Sequence, residues 1–366
     1  MALTRTEGYM ALNSVRSMGP VRVRKLLSAF GSVENILSQT AQTLTTVEGI
    51  SHKIAEGVIN WAKNWDLENE WKKLEKLGAK VIDCEDPYYP NLLKEIYDPP
   101  LVLYYMGDLE ALKKKSLAII GSRHATPYGF ETARKLSYQA AYGGLAVTSG
   151  LARGIDTAAH QGALAAKGCT IAVLGSSLDA IYPEENRVLA EKIAESGGIV
   201  LSEFSLGTAP ERYTFPMRNR VVSGLSEGVL VVEAGLESGA LITARMAVEQ
   251  GRQVFAVPGR VDNPHAKGCH KLLKEGARLV ENIEDIFEEF GYLIPSRSII
   301  PENRIPKDLT KEEITVLQSL TNEEVHIDVI IRKSGLQPAQ VSSTLIRLEL
   351  KKLVRQLPGK CFIKIC

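Results

Sequence analysis

The stretch Leu117-Ala118-Ile119-Ile120-Gly121-Ser122-Arg123 decides how the rest of the chain is read. Four apolar residues stop abruptly in small and polar ones, the pattern of a buried strand ending in a tight turn. The pattern recurs downstream. Leu145 to Thr148 ends in Ser149 and Gly150, Thr170 to Leu174 in Gly175 to Ser177, and Ile199 to Leu201 in Ser202 and Glu203. Val229 to Val232 then runs towards Ala234 and Gly235, Val254 to Val257 into Pro258 and Gly259, and a weaker run spans Arg278 to Val280. Amphipathic stretches lie between most of these runs, so the middle of the chain predicts an α/β fold with an extended, Rossmann-like parallel sheet. In such a sheet the small-residue turns collect at the carboxyl ends of the strands, where ligands bind at a switch in strand order.

Outward from this core, the first 80 or so residues carry helical periodicity broken by Gly19 and Pro20, and predict a small helical domain over 1–82. Met18 to Leu26 and Val47 to Ile54 read as two similar hairpins, which fits a tandem helix-hairpin-helix (SAM-like) module as well as a plain bundle with glycine turns. The sheet domain is expected over 83–292. Pro295, Pro301 and Pro306 mark a linker over 293–306. Residues 307–366 give three helical segments and a hairpin turning at Pro358 and Gly359, the order of a winged helix. Its last helix would present Gln340, Ser342, Ser343, Arg347, Lys351 and Lys352, a set open to duplex contact or to protein docking.

Composition narrows the class. With 44 Lys and Arg against 43 Asp and Glu, and 45% hydrophobic residues, the 366-residue chain can bury several cores and is no charged disordered tail. No apolar run is long enough to span a bilayer and no signal-peptide core opens the chain, which points to the cytosol. The five cysteines lack Cys-x-x-Cys spacing, so neither a disulfide frame nor a zinc site is expected.

Catalytic and cofactor readings fail on missing residues. The chain has no Gly-x-x-x-x-Gly-Lys-Ser/Thr loop, no three-glycine dinucleotide fingerprint after Ile120 and no His-Glu-x-x-His, and Ser149 and Ser176 lack a Gly-x-Ser-x-Gly elbow. No cofactor, metal or catalytic residue is therefore expected. What remains is a rim of anion receivers. Gly121, Ser122 and Arg123 combine close backbone approach, a hydroxyl and a guanidinium fork; Ser149, Gly150 and Arg153 repeat the set at the next turn. Phe215, Arg218, Asn219 and Arg220 place an aromatic beside two arginines at a helix start, which suits a stacked base and its phosphates. The same arginines could instead bridge Glu203 or Glu233. Ser238 is a natural helix cap, and Gly239 permits close approach.

The runs Ala118 to Gly129, Ser149 to His160, Phe215 to Ser226, Glu233 to Ala244 and Glu249 to Gly259, with the lead-in Tyr89 to Leu93 and Pro99 to Tyr104, resemble the DNA-processing protein A (DprA/Smf) family. The resemblance implies an extended Rossmann fold that binds single-stranded DNA, forms homodimers and loads the RecA recombinase in natural transformation. It carries DNA contacts to Gly121, Ser122, Arg123, Phe215, Arg218, Asn219 and Arg220, and also to Ser149, Gly150, Arg153 and Ser238. Where that family has Ser-x-Gly-x-Asn, this chain has Ala266, Lys267, Gly268, Cys269 and His270, leaving Lys267 and His270 as the available phosphate contacts. Two rivals remain: a nucleotide phosphoribohydrolase of related strand order, whose motif glutamate is absent from the helix that starts at Ser238, with Glu237 lying before it, and a duplex-binding regulator working through the tail.

Overall fold

The computed structural model describes residues 3–291, 309–321, 324–351 and 353–364. The chain forms two compact units, 1–294 and 295–366. The first is built on a nine-stranded sheet: β1 (Lys80–Asp83), β2 (Val102–Gly107), β3 (Ser116–Ile120), β4 (Ala146–Ser149), β5 (Thr170–Val173), β6 (Ile199–Ser202), β7 (Gly228–Val231), β8 (Gln253–Ala256) and β9 (Arg278–Leu279). Their order is β1-β2-β6-β5-β4-β3-β7-β8-β9. From β6 to β9 the strands are parallel, with Leu117 of β3 facing Val147 on one side and Gly228 on the other. β3, β4, β5, β6 and β7 are buried along their whole length, as strands covered by helices on both faces must be.

Successive crossovers carry the chain outward from β3 to β6, and then it returns to lay β7 against the free side of β3. The strand order reverses there, so a crevice opens above the carboxyl ends of β3 and β7. The helix Pro127–Tyr142 leaves this crest directly after β3. Thr126 caps it by accepting from the Gly129 amide at 3.1 Å, and Pro127 supplies a preset first turn.

The antiparallel strands β1 and β2 extend the sheet beyond β6, where no strand was expected. β1 straddles the expected 82/83 boundary, so the helical front is joined to the sheet. Asp83, fully buried, accepts from Arg5 Nε at 3.1 Å and Thr6 Oγ1 at 2.6 Å. The Leu206 amide donates to the buried Glu70 at 2.8 Å, a carboxyl whose pKa burial pushes up.

Within the front, a capping box of Thr4 and Glu7 starts the helix Arg5–Ser14, Gly19 and Pro20 start Pro20–Phe30, and Ser51 caps His52–Ile59. The two hairpins adjoin. Arg22 donates to the carbonyls of Gly49 at 2.9 Å and Ser17 at 2.8 Å, and Lys25 pairs with Glu48 at 2.8 Å. Arg24 donates to the Tyr97 carbonyl. These cations tie hairpin to hairpin and the front to the Tyr97 backbone.

The second unit holds helices Lys311–Ser319, Ile327–Ser334 and Pro338–Leu350 and a three-stranded sheet of β10 (Val325–His326), β11 (Val354–Leu357) and β12 (Cys361–Lys364). This is a winged helix around Val316, Ile330, Val341, Leu345, Leu348 and Phe362. The described part of the polar set expected on its last helix is exposed, but three of its members reach acids of the helix Lys311–Ser319. Arg347 and Gln340 each reach Glu312 at 3.4 Å, and Lys351 pairs with Glu313 at 3.0 Å. Ile346 and Leu350 stand exposed beside them. Lys352 and the expected linker 293–306 lie outside the described residues. Deleting Pro306 to Cys366 is expected to leave single-strand affinity nearly intact, since the described last helix carries no aromatic on which a base could stack and its Arg347 and Lys351 are paired with Glu312 and Glu313. Titration of full-length and shortened protein at one salt concentration checks this, and loss of single-strand binding on truncation would place the site in the wrong unit.

Candidate functional site

The crevice over β3 and β7 is an open cleft of about 1040 Å3. Its walls come from the turns after β3 (Gly121, Ser122, Arg123, His124), β4 (Gly150, Ala152) and β7 (Gly235, Glu237, Ser238, Gly239), and from the segment Pro210 to Asn219. Packing demands Gly121 and Gly150 among these glycines. A Cβ at Gly121 would lie 2.7 Å from the Glu233 carbonyl, and one at Gly150 would lie 2.5 Å from the Arg218 guanidinium carbon. The Ser122 amide donates to the Glu233 carbonyl at 2.6 Å, and its Oγ accepts from the His124 amide at 3.1 Å. The turn is therefore fixed before any ligand arrives. Glu233, 4% exposed, accepts from both the amide and the hydroxyl of Thr126, anchoring the next helix to the end of β7.

Arg123 and Phe215 meet at the mouth. The guanidinium carbon sits 5.1 Å from the Phe215 ring centroid, within cation–π range, and the Tyr182 ring lies 5.8 Å away on a tilted plane. Arg123 is exposed and Phe215 half-buried. The helix begins at Thr214, so Phe215 is its second residue rather than the one before it.

The other arginines are placed differently from the sequence expectation. Arg218 is 5% exposed and donates to the carbonyls of Gly150 and Val173, with Asp156 as its nearest countercharge. Burial pulls its pKa down to about 10, against the opposing effect of Asp156. Asp156 in turn accepts from the Gly150 amide at 3.1 Å and the Ala152 amide at 3.3 Å, and burial raises its pKa. Arg218 thus forms the cleft floor, with its Nη1 committed to protein. Arg220 leaves the cleft altogether, held by Glu203 at 2.6 Å and Asp98 at 3.1 Å. The carboxylate-bridging alternative describes Arg220 correctly.

Ser149 is fully buried and donates to the Ile119 carbonyl at 2.7 Å, fastening β4 to β3. Arg153 makes a bidentate pair with Glu185 at 2.6 and 2.8 Å, outside the cleft wall. Lys267 donates to the Val261 carbonyl at 2.5 Å, and His270 faces the Gly259 carbonyl at 2.9 Å. Ser149, buried and bonded to Ile119, is closed to a phosphate, whereas the exposed Arg153 and Lys267 keep further donors beside those bonded to protein. Asn219 lines the cleft, with its carbonyl oxygen 3.2 Å from Arg218 Nε. Ser238 caps Gly239–Glu249, and a Cβ at Gly239 would meet open space.

Sequence reasoning missed Tyr182, Arg212, His124 and His265, all in the lining. Arg212 is exposed and has no ion-pair partner among the described residues. Glu211 and Glu237 also line the cleft, so its cations Arg123 and Arg212 stand beside acids of opposite sign.

Fold and cleft together define a doubly wound α/β protein whose topological switch carries an aromatic–arginine pair over glycine turns. Residues 80–291 match the model of the DNA recombination-mediator protein A family, 301–360 a DprA winged helix domain, and 9–64 a SAM-like helix-hairpin-helix tandem. The chain is 35% identical to the Smf protein of Synechocystis, covering 98% of both chains, and 40% identical to the DprA of Bacillus subtilis over 75% of this chain and 91% of that one. The solved DprA of Streptococcus pneumoniae superposes with a TM-score of 0.69 at 35% identity, covering 79% of this chain and 99% of that one. The Helicobacter pylori DprA structure, which describes a single-stranded DNA binding mode, does so with 0.53 at 32% identity over 59% and 97%. The chain belongs to the DNA recombination-mediator protein A (DprA/Smf) family.

Proposed function

We propose that the crest cleft binds single-stranded DNA and that the protein is a cytosolic, non-enzymatic, homodimeric mediator that protects incoming strands and passes them to RecA during natural transformation. The observation that carries the reading is the Arg123 guanidinium over the Phe215 ring beside Tyr182, at the mouth of a cleft floored by glycine turns. Unpaired bases can stack on the ring while the guanidinium and backbone amides take phosphates; paired bases cannot. Family membership and the single-strand mode described for the Helicobacter pylori relative support the same ligand. The phosphoribohydrolase alternative is not favoured, since the turn before Ser238 offers Glu237 in place of that motif's glutamate on the helix.

Matched titrations with single strand, duplex and mononucleotide, each assayed for released base and phosphate, test the reading. Single-strand preference without release is expected; base release lost on Glu237→Gln would sink it. Solution mass with and without RecA tests the partner.

Two substitutions separate the parts of the site. Arg123→Ala should flatten the log–log salt dependence of single-strand binding by about 0.7 per phosphate contact removed. Phe215→Ala should cost on the order of 1 to 3 kcal/mol with the slope retained. A slope unchanged by Arg123→Ala, or reduced by Phe215→Ala, would remove that residue from its role.

A further inference from the structure

The helix Pro127–Tyr142 turns an unusual face to solvent. Gly129, Ala133, Leu136, Ala140 and Ala141 bury its inner side. At heptad spacing on the outer side stand Tyr128, Lys135 and Tyr142, with Glu131 and Tyr138 alongside. Tyr128 is 47% and Tyr142 56% exposed. The Tyr138 and Tyr142 rings lie parallel, their centroids 6.2 Å apart with an 8° interplanar angle, Tyr138 half-buried and Tyr142 exposed. Arg134 and Glu131 cancel each other at 2.6 Å, leaving Lys135, exposed and without an ion-pair partner among the described residues, as the net charge of the face. Exposed aromatic area aligned on one helix is not what solubility calls for; polar and charged residues cover a solvent face without it.

This face begins four residues along the chain from the cleft-lining His124. Arg123 and His124 line the cleft, Thr126 caps the helix, and Tyr128 is its second residue. From there the helix descends from the crest, away from the strand ends. We infer that Tyr128, Lys135 and the Tyr138–Tyr142 stack form a second stretch of the single-strand path, on which nucleotides leaving the cleft past His124 stack on tyrosine rings while Lys135 takes a phosphate. The inference rests on the cleft reading above. Tyr128 to Tyr142 spans fourteen residues, about 21 Å of helix, which equals about six nucleotides at a stacked rise of ~3.4 Å. An aromatic track with a single cation is a sequence-tolerant extension, suited to holding a strand rather than reading it.

The two sites part company on strand length. Oligothymidylate just long enough to fill the cleft should bind wild-type protein, Tyr128→Ala, Tyr142→Ala and Lys135→Ala alike. Lengthening it by about six nucleotides should tighten wild-type binding. Each tyrosine variant should lose about fivefold or more of that gain, the conversion of about 1 kcal/mol per stacked base. Lys135→Ala should lower the salt slope for the long strand by about 0.7 and leave the short-strand slope unchanged. All three positions are exposed, and equal thermal midpoints establish that the variants are folded. A length gain that survives in all three variants overturns the inference. If that survival comes with a lowered solution mass, the face belongs to a contact between copies of the chain instead. Failure of the cleft reading looks different: short-strand binding would be absent, or insensitive to Arg123→Ala.

Discussion

Arg218→Ala is expected to destabilise the first unit by about 3 to 5 kcal/mol, the usual cost of removing one member of a buried ionic arrangement. The guanidinium donates to two backbone carbonyls, from Gly150 and Val173, and faces the buried Asp156. Truncation leaves both acceptors dry and the carboxylate without its countercharge. For a unit of this size the thermal midpoint should fall by roughly 2 °C per kcal/mol, or about 6 to 10 °C. Arg218→Lys should recover little, because one ammonium group cannot reproduce the planar fork that spans two strand ends. Calorimetry of the three proteins decides the matter. A midpoint within about 2 °C of wild type would mean that the contacts are incidental and that Arg218 is free to serve a ligand. The expected loss of DNA affinity in this variant then reflects a collapsed cleft floor rather than a missing phosphate contact.

Acid should unfold the protein partly through His160, and replacing that residue should blunt the effect. His160 is fully buried on the helix after β4. Its Nδ1 lies 2.7 Å from the Thr170 hydroxyl, and its Nε2 has no hydrogen-bond partner. Burial, reinforced by the nearby Arg218 charge, pulls its pKa down to about 3. The unfolded chain takes up a proton below about 6.5, which the native state refuses until about 3. Stability is thus held above the unfolded value and lost as pH falls between the two. At about 1.4 kcal/mol per pH unit, the loss reaches roughly 3 kcal/mol by about pH 4. Asp156, whose folded pKa is raised by burial, works in the opposite direction, so the comparison must be between proteins. Urea unfolding of wild type and His160→Gln across this range should give curves that converge on acidification. Parallel curves would show that His160 is protonated at no cost in the native state.

Much of the fold was legible because a parallel sheet writes itself plainly. Each run from Leu117 to Val257 is buried on both faces and ends at a turn with small residues, so its boundaries sit within a residue or two of β3 to β8. β1 and β2 escaped because they join as an antiparallel edge without a crossover helix, so no strand–helix alternation announces Lys80–Asp83 or Val102–Gly107. The site was half legible. Composition names arginines but not which way they point, and in Phe215 to Arg220 the outcome depends on helix phase. Thr214, Arg218, Val221 and Val222 share the inward face, a spacing that could have marked Arg218 as floor rather than rim. Tyr182 and Arg212 were out of reach of any local pattern, since Tyr182 comes from the stretch after β5 and meets Phe215 only through the fold.

The seam at β1 bears on how pieces of this protein can be exchanged. Asp83 grips the first helix through Arg5 and Thr6, Glu70 holds the Leu206 amide, and the Asn13 side chain donates to the Glu203 carbonyl at 3.0 Å. Glu203 is also the carboxylate that steadies Arg220. A chimera that grafts a foreign helical front at a junction near residue 80 would sever all three ties at the start of the sheet's outer strand. The natural unit of exchange is accordingly the whole of 1–294, so recombinant hybrids within the family should tolerate crossovers in the segment that leads to the winged helix far better than crossovers at the front.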